Sequence, residues 1–380
     1  MVLVGSNGSG KTTLFEQVLR ARIPGYRGEK DDAERAASLT LATVNSDDVA
    51  VNLLDAPGHP DYVGELRAGL QAADAAIFVV SAVDGIDQAT LALWRECDAV
   101  NMPRFIVVTK IDLGRSDFET TVSMCRTAFG EGVIPAYIPL MDGENIIGNI
   151  SLVNKRVHDY SSGERVSRDC NAEEELLVDE YQAPFLEGVI TEADNEALMD
   201  RYLEGETLAR EEVMANVLKA VSTGQFFPVM PAHTLSDIGV EDVLRLIERG
   251  FPAPTDAKPP VITTPNGAKL PDISCDPDGP LIAQVIRTTS DPFAGRLSMV
   301  RVFSGTLKSD DSVHISGHRE LFEEVTTEGH DDSEHIGQLS GPSGVEIKPR
   351  KLAFAGDIVF VAKLNLAETG DTLSDKDRPA

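Results

Sequence analysis

Long apolar runs are missing from this sequence. The longest, such as Ala75 to Val80, fall far short of the roughly 20 residues that a membrane-spanning helix needs, and no charged-then-apolar leader precedes them. No membrane contact is expected, and the protein reads as unexported and cytoplasmic. Cysteine is scarce too. Cys97, Cys125, Cys170 and Cys275 stand far apart, without the paired spacing of a disulfide framework or a zinc site, which suits a reducing compartment. Positive charge is in deficit, with 34 Lys and Arg against 62 Asp and Glu and a net charge of -28. Such a field repels polyanions, so DNA is not an expected partner and any contact with RNA has to be local. The acidity itself reads as a solvated surface or as adaptation to high salt. Internal repeats are absent, and a monomer is the expected state.

What is present is alternation. Val2 to Val4, Val49 to Leu54, Ala75 to Val80 and Phe105 to Val108 are short apolar runs, each followed by a helix-period stretch. This predicts an α/β domain, a mostly parallel sheet with helices on both faces. From Asn149 the character changes to a possible hairpin and acidic helical stretches, the first including Asn171 to Tyr181. "FFPVMPA" then returns as a buried strand and "GVEDVLRLIERG" as an amphipathic helix with Val243, Leu244, Leu246 and Ile247 on its apolar face. An α+β subdomain inserted into the α/β domain accounts for this order. Between Phe251 and Pro280 eight of thirty residues are proline, which forbids helix and favours an extended connector. Beyond it, "LIAQVIRTT", "LSMVRVFSG" and "DIVFVAKL" predict a small β-barrel. The expected boundaries are 1–148 for the core, 149–225 for the insertion, 226–254 for the end of the core, 255–278 for the connector and 279–377 for the barrel.

The first glycine-rich stretch has the composition of a flexible tether, yet its spacing fits G-x(4)-G-K-[ST] in Gly5, Ser6, Asn7, Gly8, Ser9, Gly10, Lys11, Thr12 and Thr13. A tether would not care what surrounds it. Here Val2 to Val4 supply a strand, and Leu14, Phe15, Val18 and Leu19 recur at helical spacing behind the loop. The stretch therefore reads as a phosphate-binding loop. Glycines let backbone N–H groups turn inward around a phosphate, Lys11 reaches the β and γ oxygens, and Thr12 offers a hydroxyl to Mg2+.

A site of this kind needs a carboxylate behind the metal at the end of another strand. "VNLLDAPGHPDY" supplies one in Asp55, followed by Ala56, Pro57, Gly58 and His59. Gly58 permits a backbone N–H to approach the γ-phosphate, and His59 stands where a side chain can orient an attacking water. "FIVVTKID" then brings Thr109, Lys110 and Asp112. The Asp112 carboxylate can accept from both N1–H and the 2-amino group of guanine, whereas adenine has an acceptor at N1 and no 2-amino group. GTP and GDP are thus the expected nucleotides.

With these three motifs in order, the chain resembles the translational GTPases, elongation factor G in particular, and among them a divergent branch. "DAPGHPDYVGELRAGLQAADAAIFVVSAVDG" is similar to that family's second switch, "MDRYLEGETLAREEV" to its inserted subdomain, and "TSDPFAGRLSMVRVFSGTL" with "AGDIVFVAKLNLAETGDTLSD" to its second domain. The resemblance implies a ribosome-associated GTPase that splits GTP into GDP and phosphate in elongation, translocation or ribosome recycling. It also implies Mg2+, ribosomal RNA and stalk proteins as partners, and a catalytic histidine at the position of His59.

The pattern departs from the family in places. The usual phosphate loop, A-H-x-D-x-G-K-T, has Ser6 and Gly8 at its histidine and aspartate positions. The usual asparagine of the guanine motif is Thr109, and the third base-contacting segment falls near His233 and Thr234 without its usual residues. Thr40, in "ERAASLTLATV", reads either as the first-switch ligand to Mg2+ or as a strand residue with no ligand. The family continues into three further domains beyond the residue where this chain stops. A weakly hydrolysing GTP-binding regulator of the ribosome, or an inactive fragment, is therefore the rival expectation. A general P-loop ATPase or kinase is disfavoured by Asp112. His314 and His318 read as strand and turn at the surface rather than a metal pair, Trp94 as packing, and His330 to His335 as a solvated loop.

Overall fold

A computed structural model describes residues 1–28, 37–46, 49–113, 117–233, 236–291, 295–317 and 331–380. Two compact units emerge, one of Met1–Thr40 with Val44–Pro252 and one of Leu41–Thr43 with Ala253–Ala380. The first runs through β1 (Val2–Val4), α1 (Lys11–Arg22), β2 (Thr40–Ser46), β3 (Val49–Asp55), a 3-10 turn (Pro60–Tyr62), α2 (Val63–Ala72), β4 (Ala76–Ser81), α3 (Gln88–Ala99) and β5 (Arg104–Thr109). It continues with α4 (Phe118–Phe129), β6 (Val133–Pro135), β7 (Tyr137–Asp142), β8 (Asn145–Ser151), β9 (Arg156–Asp159), β10 (Val166–Asp169), α5 (Ala172–Glu192), α6 (Glu196–Leu203), α7 (Arg210–Ser222), β11 (Phe227–Pro231) and α8 (Val240–Gly250).

Seven strands form one sheet in the order β2-β3-β1-β4-β5-β11-β6, and β3, β1, β4, β5, β11 and β6 run parallel to their neighbours. β1, β4 and β5 are buried along their whole length, as expected of strands covered on both faces. One buried residue of these strands is charged. Arg104, at the start of β5, is fully buried, with its guanidinium 3.8 Å from the Trp94 ring centroid and 4.5 Å from that of Phe227, and pairs with Asp98. Trp94 also stacks on Phe129 at 3.9 Å, so it is a packing residue.

The order β10-β9-β8-β7 makes a second, antiparallel sheet. It starts at Tyr137, ahead of residue 149, because β7 pairs with β8 through Tyr137↔Ser151 rather than joining the parallel sheet. α5 begins one residue after its cap: the Asn171 side chain accepts from the N–H groups of Glu173 and Glu174, and the Glu174 carboxylate accepts the Asn171 N–H.

The second unit contains β12 (Ile282–Asp291), β13 (Gly295–Ser304), β14 (Thr306–Lys308), β15 (Ser312–Ser316), β16 (Asp331–His335), β17 (Leu339–Ser343), β18 (Glu346–Arg350), β19 (Leu352–Phe354), β20 (Ile358–Ala362) and β21 (Thr372–Asp375). Eight strands pair antiparallel in the order β16-β15-β21-β12-β13-β20-β17-β18, and β14 pairs with β19. Val313 and Ile315, near one end of that order, share a buried cluster with Leu339, near the other, so the sheet curls around a common core. The proline-rich connector is anchored to this unit: Ile273 packs with Ile282 and Ala380.

Two expectations are corrected here. Asp331–His335 is a strand rather than a loop, because the edge of β15 offers it a complete ladder from Ser312↔His335 to Ser316↔Asp331, and its polar side chains suit an outermost strand. His314 is buried rather than at the surface, since it lies in the middle of β15 with Nε2 3.2 Å from Asp331 Oδ1. His318 and His330 lie outside the described residues.

Candidate functional site

The parallel register sets the site. Leu3 of β1 lies alongside Asp55 of β3, so the loop that leaves β1 and the carboxylate that ends β3 emerge at one edge of the sheet. Between Val4 and Lys11 the chain turns sharply. Gly8 and Gly10 adopt left-handed φ values of 81° and 87°, which side chains rarely tolerate, and the Ser9 N–H donates to Ser6 O at 3.1 Å. Gly10 opens α1 with no side-chain cap and no acidic residue in the first turn. The helix therefore presents its first N–H groups and positive end to an anion.

Three side chains converge behind this loop. Lys11 Nζ donates to Asp55 Oδ1 at 2.6 Å, and Thr12 Oγ1 donates to Asp55 Oδ2 at 2.9 Å. Both Lys11 and Asp55 are buried. A hydroxyl and a carboxylate this close fit Mg2+, a hard cation that takes one or two protein oxygens and otherwise keeps water or phosphate. Among the described residues no group of three or more His, Cys, Asp or Glu forms a metal cluster.

A cavity of about 450 Å³ runs along the loop, lined by residues 6–13, Asp55, Ala56, Pro57, Gly58, Lys110 and Asp112, with Ser38 and Leu113. Gly58 lies against the loop itself: a Cβ there would sit 2.4 Å from Gly5 O and 2.9 Å from Asn7 N. Gly5 is confined too, since its Cβ would meet Val79 O and Ser9 Oγ, both at 2.7 Å. Thr90 Oγ1 stands 3.3 Å from Ser6 Oγ and 2.7 Å from Asp87 Oδ1. That hydroxyl, with the Thr90 N–H, holds the Asp87 carboxyl below its usual range.

Several expected residues do not line the cavity. Thr40 opens β2, and Ser38, two residues before it, is the one that reaches the cavity wall. A lone serine ahead of a strand carries no motif, which is why sequence reasoning passed over it. His59 faces outward with its side chain 48% exposed, and its Nδ1 accepts the Asp61 N–H at 3.2 Å to cap the turn Pro60–Tyr62. Thr109 is fully buried beneath the loop, where its Oγ1 donates to Ser9 O and stands 3.3 Å from Val80 O.

At the far end Lys110 adopts a left-handed φ of 56°, and its Nζ donates to Asp84 Oδ2 at 2.9 Å. The Ser81 hydroxyl, then Lys110, hold the Asp84 carboxyl below its usual range. Asp112 lines the cavity with Oδ2 3.2 Å from His233 Nε2. Thr234 lies outside the described residues. A phosphate-sized cradle at one end and a carboxylate at the other give the cavity the polarity of a nucleotide site.

Comparison with known proteins agrees with this arrangement. Residues 1–253 match the family described as Elongation factor Tu GTP binding domain, and residues 280–376 match Elongation factor G domain 2. Proteins from Mycobacterium tuberculosis strains CDC 1551 / Oshkosh and ATCC 25618 / H37Rv, each described as an elongation factor G-like protein, are 42% identical over 397 residues, covering 100% of this chain and 55% of theirs. A crystal structure from Thermus thermophilus superposes with a TM-score of 0.80 at 29% identity, covering 100% of this chain and 54% of that one. The chain thus spans about half the length of these relatives. Among the described residues no helix is long and apolar enough to cross a membrane. From the phosphate loop to the last strand of the antiparallel unit, the chain belongs to the elongation factor G-like branch of the translational GTPase family.

Proposed function

We propose that this chain binds GTP and GDP with Mg2+ and hydrolyses GTP to GDP and phosphate, in the cytoplasm, as a monomer that works on the ribosome. The observation that carries the reading is the convergence of Lys11 and Thr12 on Asp55 at the mouth of a cavity whose other end holds Asp112. In this reading the N–H groups of residues 6–12 surround the β-phosphate, and Lys11 exchanges its contact with Asp55 for the β and γ oxygens. Thr12 and Asp55 hold Mg2+, with Ser38 or Thr40 as the first-switch contributor. Mg2+ when bound neutralises the charge that develops on the phosphate oxygens. Ala56, Pro57 and the Gly58 N–H face the γ-phosphate, Thr109 holds the loop from beneath, Lys110 shapes the base end, and Asp112 accepts from guanine.

His59 is the residue proposed to orient the attacking water. Its exposed side chain, engaged by the Asp61 N–H, suits a histidine that a partner must turn inward before hydrolysis becomes fast. Elongation, translocation and ribosome recycling are the roles this implies, through ribosomal RNA and stalk proteins. The same exposure favours a second reading, a GTP-binding regulator of the ribosome that hydrolyses little.

The test is competition of GTP, GDP and ATP against a fluorescent GTP analogue, followed by single-turnover hydrolysis with and without ribosomes. GTP and GDP should displace the analogue and ATP should not. Ribosomes should raise the hydrolysis rate, and His59→Ala should remove about a hundredfold of the stimulated rate while leaving nucleotide affinity within about twofold. Binding without ribosome-stimulated hydrolysis selects the regulator. Equal displacement by ATP overturns both readings.

A further inference from the structure

The segment around His233 lacks the usual residues of the third base-contacting motif, yet His233 itself is held by several hydrogen bonds. The His233 N–H donates to Ile238 O at 3.1 Å, and the Ser236 N–H donates to His233 O at 3.3 Å, which ties His233 to Ser236 and Ile238. Gln17, buried on α1, fastens both residues by donating from Nε2 to Ser236 O at 2.5 Å and to His233 O at 3.4 Å. The helix that starts with Lys11 and Thr12 therefore also holds the backbone that places the His233 ring beside Asp112.

The ring's proton can be assigned from its neighbours. The Asp112 carboxylate can only accept, so His233 Nε2, 3.2 Å from Asp112 Oδ2, carries the proton. In the neutral ring Nδ1 is then an acceptor, and the Ser236 hydroxyl that contacts it is the donor. A carboxylate that has to accept two donors from one planar base must be held at a fixed rotation. An N–H directed at one of its oxygens does that and still leaves acceptor capacity on both.

We propose that His233 is a positioning residue for base specificity: its Nε2–H orients Asp112 toward the two guanine donors, and Ser236 selects the tautomer that makes this possible. The inference rests on the guanine reading above and deepens it. A histidine is an unusual means to this end, because a serine or backbone group at the same place has no tautomer to control. Here specificity depends on a chain of three side chains, Ser236, His233 and Asp112.

The discriminating probe is inosine diphosphate, which keeps N1–H and lacks the 2-amino group. A loosened carboxylate penalises the two-donor base more than the one-donor base, whereas general loosening of the site penalises both alike. The chain, as wild type, His233→Phe, His233→Gln and Ser236→Ala, is titrated in competition with a fluorescent GDP analogue against GDP, IDP and ADP. Thermal unfolding of each serves as the folding control. His233→Phe keeps the ring volume and removes the donor; it should weaken GDP about tenfold, the order of one charge-assisted hydrogen bond, and shrink the GDP-to-IDP preference at least about threefold. His233→Gln retains a donor and should restore most of the preference, and Ser236→Ala should fall between. Ser236→Ala carries the test alone if His233→Phe does not fold. An unchanged GDP-to-IDP ratio in the folded variants overturns the proposal whether or not affinity falls. Wild type that binds ADP as tightly as GDP, or neither, overturns the guanine reading itself.

Discussion

Lys11 Nζ and Asp55 Oδ1 lie 2.6 Å apart, a buried ion pair that joins the start of α1 to the end of β3. Lys11→Met removes the cation and leaves the Asp55 carboxylate buried with only the Thr12 hydroxyl. Breaking a buried pair in this way costs about 3 kcal/mol, so the urea midpoint should fall, and nucleotide binding should be lost by more than about a hundredfold. Lys11→Met with unchanged GDP affinity in equilibrium titration would remove Lys11 from the phosphate site.

Gly58 has no room for a side chain. Its Cβ position is 2.4 Å from Gly5 O and 2.9 Å from Asn7 N, both backbone atoms, so Gly58→Ala must push the segment after β3 away from the phosphate loop. A stability loss of about 1–3 kcal/mol is expected, the usual range for overpacking. Chemical denaturation measures it directly, and an unchanged midpoint would mean that this close approach is not kept in solution.

Thr109 acts on the loop from below rather than on the base from the side. Its hydroxyl donates to Ser9 O, so the nearly isosteric Thr109→Val leaves that carbonyl without its donor. The expected effect is a stability loss of about 1 kcal/mol, with weaker binding of GDP and IDP in equal proportion because the phosphate loop and not the base is disturbed. A change in the GDP-to-IDP ratio would instead place the Thr109 side chain at the base.

Glu174 gives the inserted subdomain an acid limit. The Arg168 guanidinium, helped by the Asn171 N–H, holds the Glu174 carboxyl below its ordinary value of 4.5. A depressed folded value means that the contribution is complete above 4.5 and is lost as pH falls through the folded value. Denaturation midpoints measured from pH 7 down to pH 3 should therefore drop more steeply in wild type than in Glu174→Gln. Parallel curves would show that this pair does not couple folding to pH.

The alternation of apolar runs with helical periods was enough for the parallel sheet, because β1, β4 and β5 are buried on both faces and leave unbroken apolar words in the sequence. The sharp turn after β1 was equally legible: the left-handed conformations at Gly8 and Gly10 demand glycine, and Lys11 and Thr12 follow it to meet Asp55. Residues whose role depends on a partner far along the chain left no such mark. Asp331–His335 reads as a polar loop until the edge of β15 supplies its ladder. Arg104 resembles any surface arginine until Trp94, Phe227 and Asp98 enclose it.

What the sequence by itself determined is therefore the order of elements and the local chemistry of each motif, since backbone conformation and burial period act over a few residues. Only the tertiary structure decided that Thr109 serves the loop, that Ser38 lines the cavity while Thr40 opens a strand, and that His233 faces Asp112. Those assignments depend on distances between segments up to 121 residues apart along the chain, as with Asp112 and His233. Such distances are set by the packing of helices on the sheet, a property of the whole unit that no local pattern carries.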